Sequence, residues 1–144
     1  MERVRLCLGA KGVQYQKVEL DLGKKTPWHL DINKGLVPIL ETPQGDLIYE
    51  SGVLIDLIEE TNKDKGYPLY PSDPFKKAQM KLDHDKYLSP AFPTWYKVFM
   101  SQGTNPDEFP PMIEKLTQLE KYVASKATSS PYVSGVEHPM ALDF

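Results

Sequence analysis

The segment Lys63 to Pro74 reads KDKGYPLYPSDP, and it limits what the chain can fold into more than any other feature. Its proline, glycine and charge give it the composition of a domain linker. Every strand-like pattern lies before it, and only helical patterns follow it. The 144 residues therefore divide into an α/β unit and an all-α unit, a length that suits one ordinary domain or two small ones sharing an interface. The expected limits are 1–64 for the first unit, 65–74 for the linker and 75–144 for the second.

In the first unit Glu2 to Lys11 has a helical pattern, with Val4, Cys7, Leu8 and Lys11 on one side, and Gly12 ends it. Tyr15 to Leu20 alternates in part and predicts a short strand. A polar, lysine-containing loop and a short helix around Trp28 to Ile32 follow. The apolar runs Val37–Leu40 and Asp46–Tyr49 flank the turn residues Pro43 and Gly45 and predict a hairpin. Ser51 is a good N-cap for a helix whose face is Val53, Leu54, Leu57 and Ile58 and which lasts until Thr61 and Asn62.

In the second unit Ser72-Asp73-Pro74 starts a helix, since Ser or Asp caps and Pro suits the first helical position. Phe75, Ala78 and Leu82 continue one face of it. Pro90 and Pro93 must kink or break the helix, because each removes a backbone donor. Met112, Leu116, Leu119 and Val123 give a last helix after Pro110-Pro111. Trp95, Tyr96 and Phe99 form an aromatic stripe, whose ordinary role on a helix is core packing. Asp83-His84-Asp85 reads as a solvated helix face.

A net charge of -3 and a pI near 5.6 give no electrostatic reason to expect nucleic acid or an anionic membrane as a partner. No apolar run of about 18 residues occurs, and MERVRLCLGAKG is too charged for a signal peptide. The single cysteine allows no internal disulfide, which fits a reducing compartment. The reading is a soluble cytoplasmic protein. His29, His84 and His138 stand far apart without metal-ligand spacing, so no metal site is expected.

The stretch Val37 to Ser51, VPILETPQGDLIYES, carries the candidate site. Pro38 at the head of a strand fits a cis bond, found in about 5% of X-Pro bonds. Such a turn leaves the Val37 N–H and C=O free to pair with an extended peptide. Ser51 at a helix start suits a carboxylate, because the first-turn N–H groups and the helix dipole favour an anion. Glu50 would receive the ammonium of the same ligand, so a small peptide with a free amino-acid head group satisfies all three features. A purely structural account is equally open: Pro38 starts a strand, Ser51 caps a helix and Glu50 is solvated.

At these residues the sequence resembles the glutathione S-transferases, and within them the omega class. The resemblance rests on Arg3-Val-Arg-Leu6, on A-K-G-V at 10–13, G-L-V-P-I-L-E at 35–41 and Q-G-D-L-I-Y-E-S at 44–51. It continues through Y-P-S-D-P-F-K-K-A at 70–78 to G-x-x-x-P-M-A-L-D-F at 135–144. It implies the glutathione S-transferase fold: a thioredoxin-like N-terminal domain, here expected to lack its first strand, and an all-α C-terminal domain, here expected to be truncated. Of the family's N-capping box of Ser or Thr, two residues and Asp, Asp143 fits while Met140 stands where the hydroxyl is expected.

Carried over by position, the resemblance makes Val37, ahead of a cis Pro38, the residue whose backbone pairs with the cysteinyl part of glutathione. Glu50 and Ser51 take the γ-glutamyl head group. Lys25 reaches the glycine carboxylate with Leu22 beside it, Lys24 being the alternative. Trp95, Tyr96 and Phe99 border the second-substrate pocket. The catalytic cysteine of the omega class, followed by proline at the start of the first helix, is expected upstream of Met1. Cys7 lies more than a turn inside its helix on an apolar face and reads as a core residue.

The implied function is glutathione-dependent thiol transfer on a small disulfide or electrophile, with dehydroascorbate reduction as a further activity, by a homodimeric parent protein. Glutathione is the substrate and no metal is implied; the chain as written is expected to be inactive alone. The alternative is a non-catalytic binding or assembly module of the same fold.

Overall fold

The computed structural model describes residues 2–126 and 130–144. They form two compact units, Met1–Leu69 with Phe144, and Tyr70–Asp143.

The first unit opens with α1 (Glu2–Ala10), whose buried residues are Val4, Cys7 and Leu8. Gly12, at φ 62, ends it. The Gly12 N–H donates to Gly9 O at 2.9 Å and the Val13 N–H to Leu8 O at 2.9 Å, the bond pair of a Schellman cap. The apolar face of α1 packs on α3 (Ser51–Thr61), which buries Leu54, Ile55 and Ile58. Each aliphatic side chain of this size contributes about 1.5–3 kcal/mol when fully buried.

The strand expected at Tyr15–Leu20 does not form; the segment is irregular and Tyr15 to Glu19 are exposed. Alternation is not sufficient for a strand, because backbone donors and acceptors need a paired neighbour. Among the described residues the one sheet is the hairpin of β1 (Ile39–Glu41) and β2 (Leu47–Tyr49). It is antiparallel, with Ile39 opposite Tyr49, Leu40 opposite Ile48 and Glu41 opposite Leu47. Its turn is closed by Thr42, whose N–H donates to Asp46 O at 2.9 Å and whose Oγ1 accepts from the Asp46 N–H at 3.1 Å. Both strands are shorter than the apolar runs that predict them.

Ahead of the hairpin, α2 (Pro27–Asn33) starts with proline at its first position after an extended Thr26, where the missing N–H costs no helical bond. It ends in a reversal in which Lys34 and Gly35 have φ of 50 and 68 and the Leu36 N–H donates to Asn33 O at 2.7 Å. The run after α3 is fastened to the first unit as far as Leu69. The Tyr67 N–H donates to Ala10 O at 3.2 Å and the Leu69 N–H to Glu59 Oε2 at 3.0 Å. Gly66, at φ 55, lies where any side chain would strike the Ala10 carbonyl.

The regular elements described in the second unit are all helical, and its tail from residue 130 runs in turns and bends. Asp73 caps α4 (Pro74–Asp83) by accepting from the Phe75 and Lys76 N–H groups at 2.8 and 3.3 Å. The face of Phe75, Ala78 and Leu82 is exposed, and Met80 and Asp83 are buried instead. Asp83 therefore leaves the expected solvated cluster. It accepts from Gln79 Nε2 at 2.8 Å and Tyr122 Oη at 2.9 Å, and lies 3.2 Å from Lys126 Nζ. Three donors compensate the loss of water that would otherwise forbid burying the carboxylate.

A π-helical turn (His84–Leu88) follows, closed by the Ser89 N–H on His84 O at 2.9 Å. Pro90 ends it and α5 (Ala91–Met100) begins. Pro93 breaks nothing, because it occupies the first turn of α5, where an N–H has no helical partner in any case. A 3-10 turn (Pro106–Glu108) leads into α6 (Phe109–Ser125), against which α5 and the π-helical turn pack. Tyr87 stacks on Tyr122 at 4.3 Å. In the tail, Asp143 accepts from the Met140 N–H at 2.9 Å and the Ser134 N–H at 3.2 Å. The carboxylate half of a capping box is thus made although Met140 supplies no hydroxyl.

Candidate functional site

The hairpin register builds the site. Ile39 pairs with Tyr49 at the open end of the ladder. Beyond that end, Val37 and Pro38 lead into β1 and Glu50 and Ser51 follow β2, where the ladder gives way to α3. Opposed positions on an antiparallel pair are about 4.5–5.5 Å apart. Residues distant in sequence thus converge at the mouth of one hairpin, where α3 begins.

The Val37–Pro38 bond is cis. Among the described residues no hydrogen bond uses the Val37 N–H or C=O. Val37 and Pro38 are half-buried, so an extended chain can reach their edge.

Across from them the expected helix start is shifted by one residue. The N-cap of α3 is Glu50, with φ 70 and ψ 115, and its carbonyl accepts the Leu54 N–H at 2.9 Å. Ser51 is the first helical residue, not the cap. The Glu50 side chain makes no capping bond and is exposed. A negative group is thereby held at a helix start without being used by the helix. The first-turn N–H groups of α3 face the same end, and their dipole favours an anion.

Lys25 lies in the exposed loop before α2, with its stem against Gly35: a side chain at Gly35 would collide with the Lys25 Cδ and approach Leu30. Leu22, 50% exposed, sits in the turn of Asp21, whose Oδ1 accepts the Gly23 N–H at 2.8 Å. Lys24 is exposed and donates its N–H to Asp21 O at 3.1 Å.

Trp95, Tyr96 and Phe99 are not core residues, being 45%, 46% and 61% exposed. They stack among themselves, Trp95 on Phe99 at 5.4 Å, and Phe92 on Tyr96 at 5.8 Å. Trp95 also lines an apolar concavity of about 270 Å³ with Leu88, Ala91, Phe92, Leu116 and Leu119; Tyr96 and Phe99 do not.

Cys7 is 0% exposed, and burial pushes its thiol up to about 12, with Arg3 opposing and Glu59 reinforcing the shift. Such a thiol is a small hydrophobe, not an activated nucleophile.

Two residues near the site have no signal in the sequence. His29 reads there only as a histidine without metal spacing, and Asn33 carries no reading at all. Both are buried, and both reach the carbonyl of Leu36, the residue before Val37.

Residues 1–66 match the family of the glutathione S-transferase N-terminal domain. Glutathione S-transferase omega-1 of Sus scrofa is 40% identical over 82 residues, 56% of this chain and 33% of that protein. Glutathione S-transferase omega-1 of Rattus norvegicus is 29% identical over 130 residues, 89% of this chain and 53% of that protein. Among solved structures, glutathione transferase Omega 3C from Trametes versicolor has a TM-score of 0.74 and 29% identity, covering 97% of this chain and 62% of that one. The chain spans between 33% and 53% of the length of these two curated relatives.

Proposed function

We propose that this chain, which is similar to omega-class glutathione S-transferases, binds glutathione in its first unit as an extended peptide along Val37 and Pro38. The γ-glutamyl ammonium meets Glu50, and the γ-glutamyl carboxylate meets Ser51 and the first-turn N–H groups of α3. The cysteinyl backbone pairs with Val37. Lys25 takes the glycine carboxylate, with Leu22 against the peptide's flank. The observation that carries this reading is an unused Glu50 carboxylate at the start of α3 together with a Val37 backbone that has no hydrogen-bond partner among the described residues, both just beyond the Ile39–Tyr49 end of the hairpin ladder. The exposed carboxylate complements the α3 dipole and is also open to a ligand's ammonium. Two or three charge-assisted hydrogen bonds to the head group contribute on the order of 1.5–3 kcal/mol each.

The parent activity is glutathione-dependent thiol transfer in the cytoplasm by a homodimer, with dehydroascorbate reduction as a further reaction. In thiol transfer a thiolate attacks one sulfur of a disulfide and expels the other as thiolate. The residues of this chain bind and orient glutathione for that exchange. Trp95, Tyr96 and Phe99 offer the second substrate an apolar surface. Cys7, buried and with a raised pKa, does not serve as the nucleophile. That same property favours a second reading, in which the chain binds glutathione without chemistry.

Calorimetry of glutathione binding to the chain and to Glu50→Gln tests the binding reading, because the substitution keeps shape and removes charge. The expected loss is about tenfold in affinity, or roughly 1.4 kcal/mol. Equal dissociation constants with the variant folded would make Glu50 a surface residue without a ligand. A thiol-transfer assay of the chain then separates the two readings: turnover supports the enzyme, and binding without turnover supports the module.

A further inference from the structure

Helix α2 ends just before the proposed ligand edge, and two of its side chains converge on one acceptor. His29 Nε2 lies 3.0 Å from Leu36 O, and Asn33 Nδ2 donates to the same oxygen at 3.2 Å. The two residues are 1% and 9% exposed. A carbonyl oxygen only accepts, so His29 carries its proton on Nε2. Leu36 itself is 54% exposed, so its own packing does little to fix its peptide.

The Leu36 C=O and the Val37 N–H belong to one planar peptide unit and point in opposite directions. Two buried donors on the oxygen therefore fix the direction of the N–H on the other side of the plane. They also polarise the amide, which makes that N–H a better donor. One donor would satisfy a carbonyl; the second adds orientation. We infer that His29 and Asn33 are positioning residues for ligand pairing: their joint hydrogen bonds to Leu36 aim and strengthen the Val37 amide that meets the peptide. This rests on the reading of Val37 as the residue that pairs with glutathione.

The test is a glutathione titration of the full ¹³C,¹⁵N-labelled chain, following the Val37 amide and the Leu36 carbonyl carbon. In the unaltered chain, glutathione shifts the Val37 amide; no shift would overturn the binding reading and the inference with it. In Asn33→Leu and His29→Leu the Leu36 carbonyl resonance moves upfield as a hydrogen bond is lost, and affinity falls about tenfold, the worth of one good hydrogen bond. His29→Gln, which can present an amide nitrogen near the place of Nε2, keeps affinity within about twofold. If the leucine variants do not fold, Asn33→Asp keeps the size and replaces the donor by an oxygen, with the same expected loss. A shifted Leu36 carbonyl with unchanged affinity would overturn the inference. If Glu50→Gln weakened binding in the same series, the site itself would stand.

Discussion

The Lys11 ammonium lies 2.7 Å from Glu59 Oε2, with the Lys11 side chain 0% exposed and that of Glu59 13% exposed. The same oxygen accepts the Leu69 N–H at 3.0 Å. One carboxylate thus ties the end of α1, the body of α3 and the chain leaving the first unit. A lysine on an apolar helix side is tolerated here because its charge is compensated where it is buried.

Lys11→Met removes one partner and leaves a largely buried carboxylate, which costs about 3–5 kcal/mol. Urea unfolding followed by circular dichroism should show the lowered midpoint. Adding Glu59→Gln, which removes the uncompensated charge and keeps an amide oxygen for the Leu69 N–H, should restore part of the loss. A single variant as stable as the parent would mean that the pair does not hold these three segments.

A second prediction concerns acid. Burial alone would raise the Asp83 carboxyl, but the hydrogen bonds from Gln79, Tyr122 and Lys126 outweigh it and hold Asp83 below the usual carboxylate range. A depressed folded-state pKa adds stability that is present above the unfolded value, about 3.9, and is lost as pH falls through the folded value. Tyr122→Phe deletes one donor and should cost about 1–2 kcal/mol at neutral pH. The gap between variant and parent should narrow below about pH 4. A gap that stays constant into strong acid would show that the hydroxyl acts by packing alone.

The fold was legible where one physical signal dominates. Val4, Cys7 and Leu8 on α1, and Leu54 and Ile58 on α3, repeat at helical spacing and are buried; Pro43 and Gly45 mark the hairpin turn. Tyr15–Leu20 failed because alternation describes side chains, whereas a strand also needs a partner for its backbone. The N-cap falls on Glu50 and not on Ser51, because the cap is decided by φ and ψ, which a one-letter pattern fixes only to within a residue. Asp83 was misjudged because its donors Tyr122 and Lys126 lie far along the chain. His29 and Asn33 were invisible for a related reason: their common acceptor is a backbone carbonyl, which every residue has.

A third prediction concerns Cys7. With its thiol pushed up to about 12, the thiolate fraction at pH 8 is on the order of one part in ten thousand, and the sulfur has no exposure. An aromatic disulfide reagent should leave the native chain unmodified and label it fully in denaturant. Rapid labelling of the folded chain would mean that Cys7 is accessible and activated.

Gly35 gives a fourth. At φ 68, with the Lys25 stem packed over it, alanine is strained and pushes Lys25 aside. Stability should fall by about 1 kcal/mol. Affinity for glutathione should fall several-fold, on the order of 1 kcal/mol, while affinity for γ-glutamylcysteine, which lacks the glycine carboxylate, should hardly change. Equal losses for both ligands would remove Lys25 from the site.

The central claim is that glutathione lies between Val37 and the start of α3. Amide NMR of the unaltered ¹⁵N-labelled chain, titrated with glutathione, tests it most directly. The account predicts saturable shifts largest at Val37 and at Ser51, Gly52 and Val53, with the amides of α5 and α6 unmoved. Saturable shifts centred on Trp95 and Leu116, with Val37 and Ser51 unchanged, or no saturable shift at any amide, would contradict it.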